Sequence, residues 1–159
     1  MIHILSNQET QEILSKLNKQ FGIQKLPENS VLIKIGKEKI FLFNGNFSEE
    51  QIKNLEKITF IERIGIYFAK VFSPTNEIKL SIEGTQILKN QIAKNIFEIN
   101  NEQLENWMRG EELNIQTGLK GIVVIKYKNN FLGCGKASEN KIGNLMPKSR
   151  RLRSKNIIR

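Results

Sequence analysis

The sequence contains no aspartate, one histidine (His3) and one cysteine (Cys134). Without aspartate, every mechanism that needs an aspartate nucleophile or base is excluded. One Cys with one His cannot assemble a Cys/His zinc cluster, and a lone Cys cannot close an internal disulfide. No metal or cofactor is expected. No apolar run approaches the roughly 18 residues of a membrane span. The opening Met1-Ile2-His3-Ile4-Leu5 lacks the basic n-region and long apolar h-region of a secretion signal. A cytoplasmic location away from membranes is therefore expected, and the single Cys agrees with it. At 159 residues, 39% hydrophobic and 26% charged, the chain suits one compact domain or two small ones with a real core.

Acidic charge is scarce in one region only. Residues 1–119 carry 14 basic and 15 acidic side chains, net −1, whereas residues 120–159 carry 11 basic and one acidic (Glu139), net +10. The formal net charge of +9 thus belongs to the last forty residues. Such a segment attracts polyanions, and nucleic acid is the commonest, because each Lys or Arg can neutralise a phosphate and release a counterion. The alternatives are a solvated basic tail or a membrane surface.

Local signals divide the chain. Ser6-Asn7-Gln8-Glu9 is a capping box ahead of Ile13, Leu14, Leu17 and Phe21 at helical spacing, and Gly22 can stop that helix. Residues 31–35 and 40–43 read as a hairpin about Gly36-Lys37. Ser48-Glu49-Glu50-Gln51 opens a second helix, and residues 64–72 read as a strand. Ser73-Pro74-Thr75-Asn76 is the best break in the chain, and the domain boundary is placed there. Beyond it the pattern predicts a strand over 78–82, a helix over 84–92 and a strand over 95–99. Asn100 caps a short helix with Leu104, Trp107 and Met108 that ends at Gly110. Residues 121–125 form a β-branched run typical of a strand buried on both faces. A turn at Asn129-Asn130 leads to a partner strand over 131–137. Many short strands with few short helices suggest a small, nearly closed sheet.

Few residues offer chemistry. Gly133-Cys134-Gly135-Lys136 resembles a phosphate loop weakly: no Ser or Thr follows the Lys, and the segment sits within a strand. The glycines rather mark a tightly packed or bulged strand where another backbone comes close; approach of an RNA backbone is the functional alternative. Cys134 lacks an activating base and reads as a small buried hydrophobe. His3 reads as an edge residue. Trp107, Tyr67 and Tyr127 read as core, with base stacking as the alternative. Glu111 and Glu112 are adjacent, point apart and read as solvated. The end, Pro147-Lys148-Ser149-Arg150-Arg151-Leu152-Arg153-Ser154-Lys155, is Arg-rich, which favours bidentate phosphate contact and stacking. The bland alternative is a disordered basic end.

Three stretches of the second half resemble a PUA domain, the small RNA-binding pseudobarrel. They are residues 79–88, residues 104–113 and residues 121–135, the last ending in Leu132-Gly133-Cys134-Gly135. The stretch 143–151, with Asn144, Pro147, Lys148 and Arg151, is similar to the "x-N-x-x-P-K-x-x-R" tail of the PUA-like domain in Sun-family RNA cytosine methyltransferases. The whole chain resembles two-domain ribosome-biogenesis factors, in which an α/β pre-PUA module precedes a PUA domain.

The resemblance implies an α+β fold: a pre-PUA-like α/β module over residues 1–74, a PUA-like β pseudobarrel over 75–153 and a basic tail over 154–159. It also implies a non-catalytic factor that binds structured rRNA or tRNA in ribosome biogenesis, rRNA processing or RNA modification. Pseudouridine synthases with a PUA domain need a catalytic Asp. Cytosine methyltransferases need catalytic cysteines and a cofactor-binding domain. This sequence supplies neither set, and no enzymatic activity is expected. The RNA face is expected in a cleft between the Trp107–Gly110 turn and the closing hairpin, formed by Arg109, Gly110, Gly133, Lys136, Lys148, Arg150, Arg151, Arg153 and Lys155. The alternative is a protein–protein adaptor that recruits an RNA-modifying enzyme or assembly factor through residues 1–72. An apolar surface patch on that module would mark it.

Overall fold

The computed structural model describes residues 1–153. The expected basic tail over 154–159, Lys155 included, lies outside the described residues. Both capping boxes form. The Ser6 hydroxyl accepts from the Glu9 N–H (3.2 Å) and the Glu9 carboxylate accepts from the Ser6 N–H (2.8 Å). They open α1 (Asn7–Phe21), which ends at Gly22 in the left-handed region. Ser48 and Gln51 do the same for α2 (Glu49–Ile58).

Five strands form the first sheet: β1 (Ile2–Ile4), β2 (Val31–Ile35), β3 (Lys39–Phe43), β4 (Ile66–Val71) and β5 (Ile78–Leu80). They are antiparallel and adjacent in chain order. Strand alternation sorts their side chains onto two faces. Leu32, Ile40, Leu42 and Phe68 pack with Ile13, Leu17 and Phe21 of α1. Ile2, Ile33 and Phe41 pack with Ile52 of α2.

The second sheet has the order β6 (Ile96–Glu98), β7 (Gly121–Tyr127), β8 (Asn130–Ala137), β9 (Ile142–Asn144). Here β6 runs parallel to β7, the other pairs are antiparallel, and Leu113 extends the edge by a bridge to Ile142. Strand β7 is buried on both faces, as its β-branched run predicts. Ile122 and Val124 enter the core that contains α1. Val123 and Ile125 enter a separate core around Trp107, which lies on α4 (Asn101–Met108).

Hydrogen bonding and packing cross the break at residues 73–76. Strand β5 lies beyond it yet pairs with β4, and the largest core joins Leu17 and Phe21 to Val124 and Cys134. Two local expectations shift. The helix expected over 84–92 is α3 (Ile82–Ile87). It starts earlier because the Ser81 hydroxyl caps it by accepting from the Gly84 N–H at 2.8 Å, and this also ends β5 at Leu80. The hairpin turn expected at Asn129-Asn130 falls one residue earlier. Tyr127 pairs with Asn130, and Lys128 takes the positive φ of 51°. Among the described residues, no helix is long and apolar enough to cross a membrane.

Candidate nucleic-acid interface

The C-terminal stretch 143–152 is fixed to the end of α4 by polar contacts that the sequence placed far apart. The Asn144 side-chain amide donates to the backbone carbonyls of Trp107 (2.8 Å) and Glu111 (3.1 Å), and its oxygen accepts from the Met146 N–H (2.9 Å). Arg151 donates its Nε to the Met146 carbonyl at 3.0 Å. Its guanidinium lies against Gly110, where φ is +88° and any Cβ would collide with it. The Leu152 N–H donates to the Met108 carbonyl at 2.8 Å. Asn144 and Arg151, two residues of the tail pattern, therefore hold the tail on the fold.

These contacts bear on the expected cleft. Trp107 is fully buried, and a Cβ on Gly135 would stand 2.8 Å from its ring and 2.6 Å from Ile142. Indole and β8 are thus packed directly against each other. Gly133 is buried and covered by Ile82, whose Cγ1 would lie 3.2 Å from an added Cβ. Its expected close approach is therefore made by protein, at Ile82. Gly110 is covered by Arg151. Arg109 pairs with Glu105 one turn earlier on α4, and its side chain is only 17% exposed. Gly110 and Arg109 are thus partly covered by protein neighbours.

The remaining tail cations face solvent. Lys136 on β8, Lys148 and Arg153 are exposed, and none makes an ion pair among the described residues. Arg150, in the 3-10 turn Lys148–Arg150, is half-exposed and paired with Glu83 at 2.6 Å. It also lines a groove of about 600 Å³ whose other wall is formed by Lys39, Tyr67 and Lys70 of the first sheet and by Arg63 in the loop before β4. Sequence reasoning missed those cations because the near-neutral sum over residues 1–119 hid them. Lys39 and Lys70 become neighbours only through the β3–β4 register.

The groups that could do chemistry are occupied otherwise. Burial pushes the Cys134 thiol up to about 12. His3 contacts the Glu9 carboxylate at 2.8 Å. That carboxylate is drawn down to about 2, first by the Ser6 N–H and then by His3. Among the described residues, no three His, Cys or Glu side chains gather to hold a metal.

Residues 94–152, which run from the approach to β6 through the clamped tail, match the family described as the methyltransferase RsmF PUA domain. Over these residues the chain is similar to that PUA domain. The match begins after β5 and α3, so residues 79–88, read above as the opening of that domain, fall outside it. The chain is also 29% identical over 160 residues to the ribosomal RNA small subunit methyltransferase F of Vibrio campbellii (strain ATCC BAA-1116). That alignment covers 96% of this chain, both sheets included, but only 31% of the relative. The chain thus spans about a third of the length of that curated relative. The likeness of the tail to Sun-family methyltransferases agrees with both matches. Within the PUA domain, the Trp107 core and the Asn144–Arg151 clamp set the shape, and the exposed cations lie on its outside.

Proposed function

We propose that the chain is a non-catalytic RNA-binding factor that acts in rRNA modification, with its PUA domain as the RNA-recognition module. The observation that carries this reading is the pairing of an RsmF-type PUA domain with Lys136, Lys148 and Arg153, which are exposed and free of carboxylate partners among the described residues. Phosphate contacts from such cations give affinity without sequence choice. Selectivity then comes from RNA shape and unpaired bases. The absent aspartate, the buried thiol and the paired histidine support a binding role without chemistry of its own. Crosslinking in cells followed by sequencing of the bound RNA tests the reading: enrichment of one rRNA region supports it, and recovery of no RNA above background overturns it.

One observation favours a second reading, an adaptor that recruits a separate RNA-modifying enzyme. Ile58 and Phe60, at the end of α2, are 82% and 89% exposed. Large apolar side chains this bare mark interaction surfaces when they are contiguous. Capture of a methyltransferase chain that survives ribonuclease and is lost in the Ile58→Ser, Phe60→Ser double variant would support this role. Capture that ribonuclease abolishes would remove it.

A further inference from the structure

The groove between the first sheet and the clamped tail combines features that neither half shows alone. Its floor carries Tyr67, half-buried and tilted against Phe41 with ring centroids 5.6 Å apart. The Tyr67 backbone is held in place because the buried Ser81 hydroxyl donates to its carbonyl at 2.6 Å. Beside it, Gly65 has a positive φ of 75° and presents no side chain. The rim is basic, with Lys39, Arg63, Lys70 and Arg150 against Glu62 and Glu83. Arg150 is neutralised by Glu83, and Lys70 by Glu38 at 2.9 Å. Lys39 and Arg63 are exposed and unpaired with carboxylates among the described residues.

The strand register adds an independent sign. Lys39 on β3 stands opposite Lys70 on β4, and Lys70 stands opposite Lys79 on β5. Like charges directly across a ladder destabilise a sheet. Burial pushes the Lys79 ammonium below its ordinary range, and the neighbouring Lys70 and Arg151 charges push the same way. Lys79 lies outside the groove and donates its ammonium to the Leu145 carbonyl at 2.6 Å, so Lys39 and Lys70 are the two of this row that stand beside the aromatic floor, a placement that suits an anionic ligand with flat rings. About 600 Å³ is within the range of small-ligand sites.

We propose that this groove takes an unpaired nucleotide of the bound RNA, its base stacked on Tyr67 and its flanking phosphates on Lys39 and Arg63. The proposal rests on the RNA-binding reading above and deepens it. The N-terminal half then contributes directly to RNA recognition, and the chain distinguishes a helix with a single-stranded extension from one without. Stacking on an aromatic ring tolerates any base, so the groove reads strandedness and not sequence.

The test compares affinities of the full chain for a short RNA hairpin with and without a single-stranded extension, by fluorescence anisotropy. The extension should strengthen binding about tenfold. The exposed pair Lys39→Ala, Arg63→Ala and, separately, Tyr67→Leu should each abolish most of that gain while binding to the plain hairpin persists. A 4-thiouridine placed in the extension should crosslink to the peptide that contains Tyr67. If the wild-type chain binds the hairpin but the extension adds nothing, or if the Lys39, Arg63 double variant keeps the full gain, the groove proposal is overturned and RNA binding stands. If the chain binds neither RNA, the RNA-binding reading itself falls, and the groove with it.

Discussion

Replacing Asn144 by Ala removes a clamp whose size can be worked out from its contacts. Three hydrogen bonds are lost, two donated to the carbonyls of Trp107 and Glu111 and one accepted from the Met146 N–H. At about 1 kcal/mol net for each bond, the loss is about 3 kcal/mol. The Trp107 carbonyl keeps the Gly110 N–H as a partner (2.9 Å), so little is added there. Met146 is a buried core residue, and its orphaned N–H raises the cost. For a chain of this length, ~3 kcal/mol lowers Tm by roughly 6–12 °C. Asn144→Asp should be at least as damaging, because it turns a carboxylate toward two carbonyls. Asn140→Ala, at an exposed residue that pairs only with Gln116 at 3.1 Å, serves as the control and should cost under about 0.5 kcal/mol. Circular dichroism melts of the three variants measure this. An Asn144→Ala Tm within about 2 °C of wild type would refute the clamp.

Other outcomes follow from the same geometry. Gly110→Ala forces a Cβ into the Arg151 guanidinium at a positive φ and should destabilise by about 1–2 kcal/mol or more, read by urea denaturation. Cys134, with its thiol pushed up to about 12, should resist iodoacetamide at neutral pH until the chain unfolds; rapid native-state alkylation would contradict its burial. Its folded value lies above the ordinary one, so its contribution to stability should decline as pH rises from about 9 toward 12. For Glu9 the sign is reversed: its folded value of about 2 lies below the ordinary 4.5. Its stabilisation is complete above pH 4.5 and is lost as pH falls toward 2. An NMR titration of the Glu9 side chain should show the low midpoint, and Glu9→Gln should flatten the acid limb of stability.

What was legible in the sequence is what local chemistry decides. Ser6 and Glu9, like Ser48 and Gln51, signal helix starts because cap and partner lie three residues apart. The run at 121–125 announces a two-sided strand because no polar residue interrupts it. The glycines of β8 announce close packing, but not that Ile82 and Trp107 provide it, since those contacts are set by tertiary structure. Arg151 reads as a phosphate ligand by its neighbours in the chain, yet its nearest partners are Gly110 and the Met146 carbonyl. Lys39, Lys70 and Lys79 are unremarkable in sequence and become a row only when β3, β4 and β5 pair. Charge summed along the chain found the basic tail and concealed the basic groove.

The central claim is that exposed cations of the PUA domain bind RNA through its phosphates. Its most direct test is the salt dependence of RNA affinity for the wild-type chain and for the Lys136→Ala, Lys148→Ala, Arg153→Ala variant. These three side chains are exposed and make no ion pair among the described residues. With about four phosphates neutralised on single-stranded RNA, log K should fall against log salt with a slope near −3, and the variant should be flatter by about 2. An affinity independent of salt, or an identical slope for the variant, would contradict the account.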